Sequence, residues 1–203
     1  MLVAKNEKRI ILASASPRRR EILAGIGVRF EVICADTDES STLTDPEQLT
    51  RELARRKANA VADMLRARGE YEGAIIIAAD TVVACDSQIL GKPHGEEHAR
   101  QMLSSLSGKT HSVVTGVAVA YGDTTRTASS TTTVTVDVIP PDEIEKYIAS
   151  GEPFDKAGGY GIQGNFSKWI SGIEGCYFGV VGLPVNVLSK LFKDTVGVYP
   201  DEV

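Results

Sequence analysis

The chain has 203 residues, 42% of them hydrophobic and 24% charged, which is enough for one substantial core in an ordinary globular protein. Its net charge of −5 excludes a global attraction to nucleic acid or to an anionic membrane, so any cluster of cations needs a local explanation. No apolar run reaches membrane-spanning length and Met1 to Arg9 lacks the apolar core of a signal peptide, so the expectation is a cytoplasmic protein with a single domain over residues 1–203.

The first predicted strand, Arg9–Ala13, runs into Ser14-Ala15-Ser16-Pro17-Arg18-Arg19-Arg20, where a helix is predicted over Pro17–Gly25. Pro17 suits the first helical position, where its missing N–H would have no partner, and Ser16 is expected to cap from just outside. Such a turn offers free N–H groups, the positive end of a helix dipole, two hydroxyls and guanidinium groups, which together form an anion receptor. The plainer reading is a capped helix with a solvated basic first turn. Against it, arginines there oppose the dipole unless something negative binds.

A strand is predicted at Phe30–Cys34, then the acidic pair Asp38-Glu39 in a polar loop. The clearest helix spans Pro46–Arg68, capped by Asp45, with Leu49, Leu53, Val61 and Leu65 on one apolar face. Strands follow at Ala74–Ala79 and Val82–Cys85, with Asp80-Thr81 between them. Asp86-Ser87 and Gly122-Asp123 look like hairpin turns, so the sheet is expected to be mixed. A helix at Glu96–Leu106, strands at His111–Tyr121 and Ser129–Ile139, a helix at Pro141–Ser150, a strand at Gly175–Val181 and a helix at Leu183–Phe192 complete the pattern. The fold class is α/β, a mixed sheet flanked by helices.

Cys34, Cys85 and Cys176 form no CxxC pair and read as small core residues in a reducing compartment. His94, His98 and His111 lack metal-ligand spacing. The segment Gly151–Gly164 carries five glycines without hydrophobic period, yet Phe154, Tyr160 and Ile162 argue against disorder. A loop this long is expected to be ordered and to line a binding site. Its Gly159–Gly164 satisfies GxGxxG but has no strand before it, so a dinucleotide fingerprint is rejected. Gly108-Lys109-Thr110 imitates the end of a P-loop, but Leu103 stands where the first glycine should be, and a helix-to-strand turn is the better reading.

Asp80 ends an apolar run, where an ionised carboxylate needs a cation, a metal or hydrogen-bond donors; a local cap is the alternative. Lys57, Lys92 and Lys156 would each be taken singly for surface lysines. Together these groups could hydrolyse a phosphoanhydride: cations neutralise the polyphosphate, carboxylates hold Mg²⁺ or Mn²⁺, and one carboxylate takes a proton from water.

SASPRR at Ser14–Arg19, AADTVV at Ala78–Val83, GKP at Gly91–Pro93, SGKTHSVVTGVAV at Ser107–Val119 and GEPFDKAGGYGIQG at Gly151–Gly164 resemble, in order, the motifs of the Maf family of nucleoside triphosphate pyrophosphatases. The resemblance implies two lobes with a central cleft, similar to the inosine triphosphatase-like pyrophosphatases, cleavage between the α and β phosphates, and a divalent metal. By motif, Asp80 resembles the group that activates water and Ser14, Ser16, Arg18 and Arg19 the phosphate-binding turn. Lys57, Lys92 and Lys156 resemble substrate-contacting lysines, and Asp38 or Glu39 matches the acidic metal position beside Asp80. The loop is similar to the branch acting on dTTP and UTP, in which the positions of Arg18, Thr81 and Gln163 bear on substrate choice. A side-chain amide at Gln163 can donate to and accept from a pyrimidine edge. Gly159 stands where many members carry Ala, which bears on base preference, modified uridines included. The family also suggests a homodimer, and a septum-linked, nucleotide-binding regulator is the competing role; the kept Asp80 and lysines favour turnover.

Overall fold

The computed structural model describes residues 8–203, so the N-terminal stretch discussed above lies, through residue 7, outside the described residues. They form one seven-stranded mixed sheet. β1 (Arg9–Leu12) pairs in parallel with both β2 (Phe30–Val32) and β3 (Ala74–Cys85). β3, β5 (Thr110–Tyr121), β6 (Thr124–Val136) and β7 (Ile170–Glu174) then run antiparallel, and β4 (Gln88–Leu90) folds back on β3. The hairpin turns stand where expected: Asp86 and Ser87 both take positive φ between Cys85 and Gln88, and Gly122 turns between Tyr121 and Thr124. The helices are α1 (Pro17–Gly25), α2 (Pro46–Ala67), α3 (Glu96–Leu106), α4 (Pro141–Ala149), α5 (Tyr177–Val181) and α6 (Val185–Val196). None among the described residues is long and apolar enough to cross a membrane.

Alternation along β3 sorts the core. Ile75, Ile77 and Ala79 pack with α1 and α6 through Leu23, Leu188 and Phe192. Ala74, Ile76 and Ala78 face α2 at Ala54, Ala58, Val61 and Leu65. Farther along the strand, Val83 and Cys85 join a third cluster of α3, α4, Tyr160 and Phe166. Asp80 and Thr81 sit where the first two clusters give way to the third, and the cavity opens there.

Four expectations are corrected. Ala74–Ala79 and Val82–Cys85 are one strand, because Asp80 and Thr81 keep their ladder partners Gly116 and Thr115. Gly175–Val181 is not a strand: Gly175 takes φ +125°, β7 ends before it, and Tyr177–Val181 is helical with Cys176 Sγ accepting from Gly179 N. Short apolar runs have no periodicity that separates helix from strand. Ser16 makes no side-chain cap to α1; Ser14 Oγ instead accepts from Ser16 N at 3.3 Å. Cys34 is exposed, not a core residue, while Cys85 is buried. Smaller shifts follow the turn residues: β6 starts at Thr124 and stops at Val136, and α6 starts after Pro184 and runs to Gly197 at φ +93°. Asp45 caps α2 as expected, accepting from Gln48 N at 2.7 Å.

Candidate active site

A cavity of about 1040 Å³ collects residues from distant parts of the chain. Ser16, Arg18 and Arg19 of the first turn line it, with Glu39, Lys57 of α2, Asp80 and Thr81 of β3, Lys92, and Lys156 and Gln163 of the glycine-rich segment. Ser14 stands behind this wall and accepts from Arg19 Nη1 at 3.2 Å.

Lys57 reaches Asp80 because α2 lies close on the sheet. Gly116, the ladder partner of Asp80, makes the approach possible: a Cβ there would stand 2.3 Å from the carbonyl carbon of Thr50 in α2. Lys57 Nζ donates to Asp80 Oδ1 at 2.6 Å and pairs with Glu39 Oε1 at 2.8 Å. Asp80 is buried, 8% exposed, so its charge is met by an ammonium rather than by bulk water. The hydrogen bond from Lys57 also holds the Glu39 carboxyl below its ordinary value.

Arg19 is fixed on three sides. Nε donates to Gly182 O at 2.8 Å, Nη1 to Ser14 Oγ and Nη2 to Thr81 Oγ1 at 3.1 Å. Burial pulls this guanidinium down from its ordinary value, against the attraction of Asp80. Its fork has five N–H donors, and two remain for an anion in the cavity. Arg18 reaches across to Asp155 Oδ2 at 3.5 Å, while Asp155 Oδ1 accepts from Lys156 Nζ at 2.5 Å. The first-turn arginines thus turn toward the site, except Arg20, which is exposed and donates to Ala15 O.

The two acids proposed for one metal position separate here. Glu39 shares Lys57 with Asp80, whereas Asp38 lines a different depression and accepts from Ser40 N and Ser40 Oγ, both at 2.8 Å. Those bonds hold the Asp38 carboxyl below its ordinary value.

Gly151–Gly164 is ordered by 3₁₀ turns at Glu152–Asp155 and Ala157–Gly159. No strand precedes Gly159, in keeping with the rejected dinucleotide motif, and Lys109 pairs with Asp86 at the surface. Glu152 organises the segment. It accepts from Tyr147 Oη at 3.0 Å and Asn165 N at 3.1 Å, and a Cβ on Gly164 would stand 1.8 Å from Glu152 Oε1. The sequence carries no local signal for that role, since its partners lie on α4 and beyond the loop. Asp155 was visible only as one charge among many.

The description "Maf-like protein" matches residues 9–195, nearly the length of the described structure. The chain belongs to the Maf-like family. Curated relatives of this Maf-like chain are named dTTP/UTP pyrophosphatase: one from Chlorobium luteolum, 48% identical over 181 residues, covers 88% of this chain and 93% of its own. One from Agathobacter rectalis, 49% identical over 197 residues, covers 91% and 95%. A third of that name, from Bacillus cereus, is 45% identical over 190 residues, with 93% and 91% covered.

Proposed function

We propose that this Maf-like protein is a nucleoside triphosphate pyrophosphatase of the cytoplasm that hydrolyses dTTP and UTP, modified pyrimidine relatives included, to the monophosphate and pyrophosphate. The observation that carries the reading is a buried carboxylate, Asp80, held by Lys57 at the inner wall of a cavity whose other walls supply Arg18, Arg19, Lys92 and Lys156. The names of relatives at 45–49% identity support the substrate.

In the proposed reaction the triphosphate lies against the first-turn arginines, whose charges offset the anionic tail. Asp80 accepts the proton of the attacking water on Oδ2, the oxygen not committed to Lys57. The α–β anhydride breaks, water supplying the hydroxyl to one product and its proton to Asp80, and pyrophosphate leaves among the cations. Gln163 meets the pyrimidine edge with its amide.

A divalent ion fits this donor set. Glu39 and Asp80 share one ammonium, and no group of three or more His, Cys, Asp or Glu among the described residues is placed as an all-protein cage. One or two carboxylates completed by substrate phosphates is the usual Mg²⁺ arrangement. Glu39 and Asp80 would hold Mg²⁺ or Mn²⁺ there, and the bound ion would supply positive charge against the anionic phosphates.

The test is a screen of common and modified nucleoside triphosphates with either metal, reading pyrophosphate separately from orthophosphate. Pyrophosphate released first from dTTP and UTP supports the assignment. Orthophosphate as first product overturns it, and tight binding without turnover favours the regulator.

A further inference from the structure

Thr115 lies on β5 opposite Thr81 of β3 and is fully buried. Its hydroxyl meets two oxygens, Gly179 O and Thr81 Oγ1, each at 2.8 Å. A hydroxyl has one proton to give. The helix α5 decides where it goes. Gly179 is buried, and the amides of Gly182 and Leu183, either of which could close a turn onto its carbonyl, both donate to Phe178 O. Thr115 is the donor that satisfies Gly179 O, and a buried carbonyl without one is costly.

Thr115 Oγ1 therefore accepts from Thr81, whose proton is directed toward β5 and away from the cavity. Thr81 Oγ1 also accepts from Arg19 Nη2, since a guanidinium only donates. With its proton and one lone pair committed, Thr81 can offer a ligand only the second lone pair.

We propose that Thr115 is a positioning residue that holds Thr81 as a hydrogen-bond acceptor toward the cavity, so that Thr81 reads an N–H or O–H donor on the nucleoside and not a phosphate oxygen. The inference rests on the nucleotide reading above. Ionised phosphate oxygens bring no proton to this position. The donors on dTTP and UTP are the imide N–H of the base and the sugar hydroxyls, whereas cytosine carries no N–H at the corresponding ring nitrogen.

The experiment compares kcat/KM for dTTP, its N3-methyl derivative and its 3′-deoxy derivative in the wild type, Thr115→Val and Thr115→Ser. The wild type is expected to lose about tenfold or more on one derivative, the scale of a lost hydrogen bond, and which one tells base from sugar. Thr115→Val keeps the shape, frees the Thr81 proton and is expected to reduce that loss to about threefold or less. Thr115→Ser restores it. A loss caused only by the bulk of the added methyl would persist in Thr115→Val and overturn the proposal. So would equal turnover of all three nucleotides by the wild type, or failure of Thr115→Ser to restore discrimination. If Thr115→Val does not fold, Thr81→Val asks the same question, with the same collapse of discrimination expected. A wild type that neither binds nor hydrolyses dTTP or UTP removes the pyrophosphatase reading first and this inference with it.

Discussion

His111 gives the fold a pH dependence whose size can be worked from its surroundings. The imidazole on β5 is 3% exposed, its Nε2 lies 2.7 Å from Tyr160 Oη, and its Nδ1 has no hydrogen-bond partner among the described residues. Burial pulls its pKa down from 6.5 to about 4. The folded value lies below the unfolded one, so on acidification the unfolded chain takes up the proton first. This contribution is therefore complete above the unfolded value and is lost as pH falls through 6.5 toward about 4. At about 1.4 kcal/mol per unit, the loss across that window is about 3 kcal/mol, a large share of the usual stability of a domain. Urea unfolding at several values between about pH 7.5 and 4 reads it directly. The comparison is His111→Gln, whose amide can stand opposite Tyr160 Oη without titrating. Carboxylates titrating elsewhere affect both proteins alike. The wild type should lose about 3 kcal/mol more than the variant over the window, and parallel curves would refute the reasoning. Tyr160 stacks on Phe166 at 4.7 Å and lies between Lys156 and Gln163, so the cavity wall should loosen with it.

Three further outcomes follow from the site. Asp80→Asn should keep nucleotide binding measurable by calorimetry while lowering turnover at least ~10²-fold, and near-normal turnover would remove Asp80 from proton transfer. Asp155→Asn should tighten triphosphate binding several-fold at low salt, because its carboxylate competes with phosphate for Arg18 and Lys156; unchanged or weaker binding would make Asp155 a strap and not a competitor. Gly116→Ala should destabilise the fold by about 1–3 kcal/mol in thermal or urea melts, since the neighbour in the way is α2 backbone. A melting point equal to wild type would contradict the close approach that brings Lys57 to Asp80.

What the sequence made legible is what local chemistry writes down. Ile75–Ala78 is buried on both sides of the sheet, and its apolar run reads as a strand because no exposed face interrupts it. Asp45-Pro46 announces α2, and Ser16-Pro17 announces α1 even though the Ser16 side chain makes no cap. Lys57 shows the limit. On its helix it looks like any solvated lysine, and its place beneath Asp80 depends on Gly116, which stands opposite Asp80 only once β3 and β5 pair. Asp38 and Glu39 are adjacent in sequence, yet one turns onto Ser40 and the other onto Lys57, a choice that no spacing encodes.

The segment misjudged as a strand matters most to the site. As a strand, Gly175–Val181 would give its carbonyls to a neighbour in the sheet. As the short helix α5 it ends with carbonyls free of helical partners, the electronegative end of a helix. Gly182 O, just past that end, receives Arg19 Nε, and Gly179 O receives the Thr115 hydroxyl. Arg19 and Thr81 meet each other with both anchored from this side, Arg19 directly and Thr81 through Thr115. Gly175 and Gly182, both at φ +125°, bracket the helix and were the one sequence signal against an extended reading, since each supplies a conformation that L side chains rarely adopt. Arg19 is thus held in place from the end of a helix, α5, whose Val180 and Val181 also line the cavity.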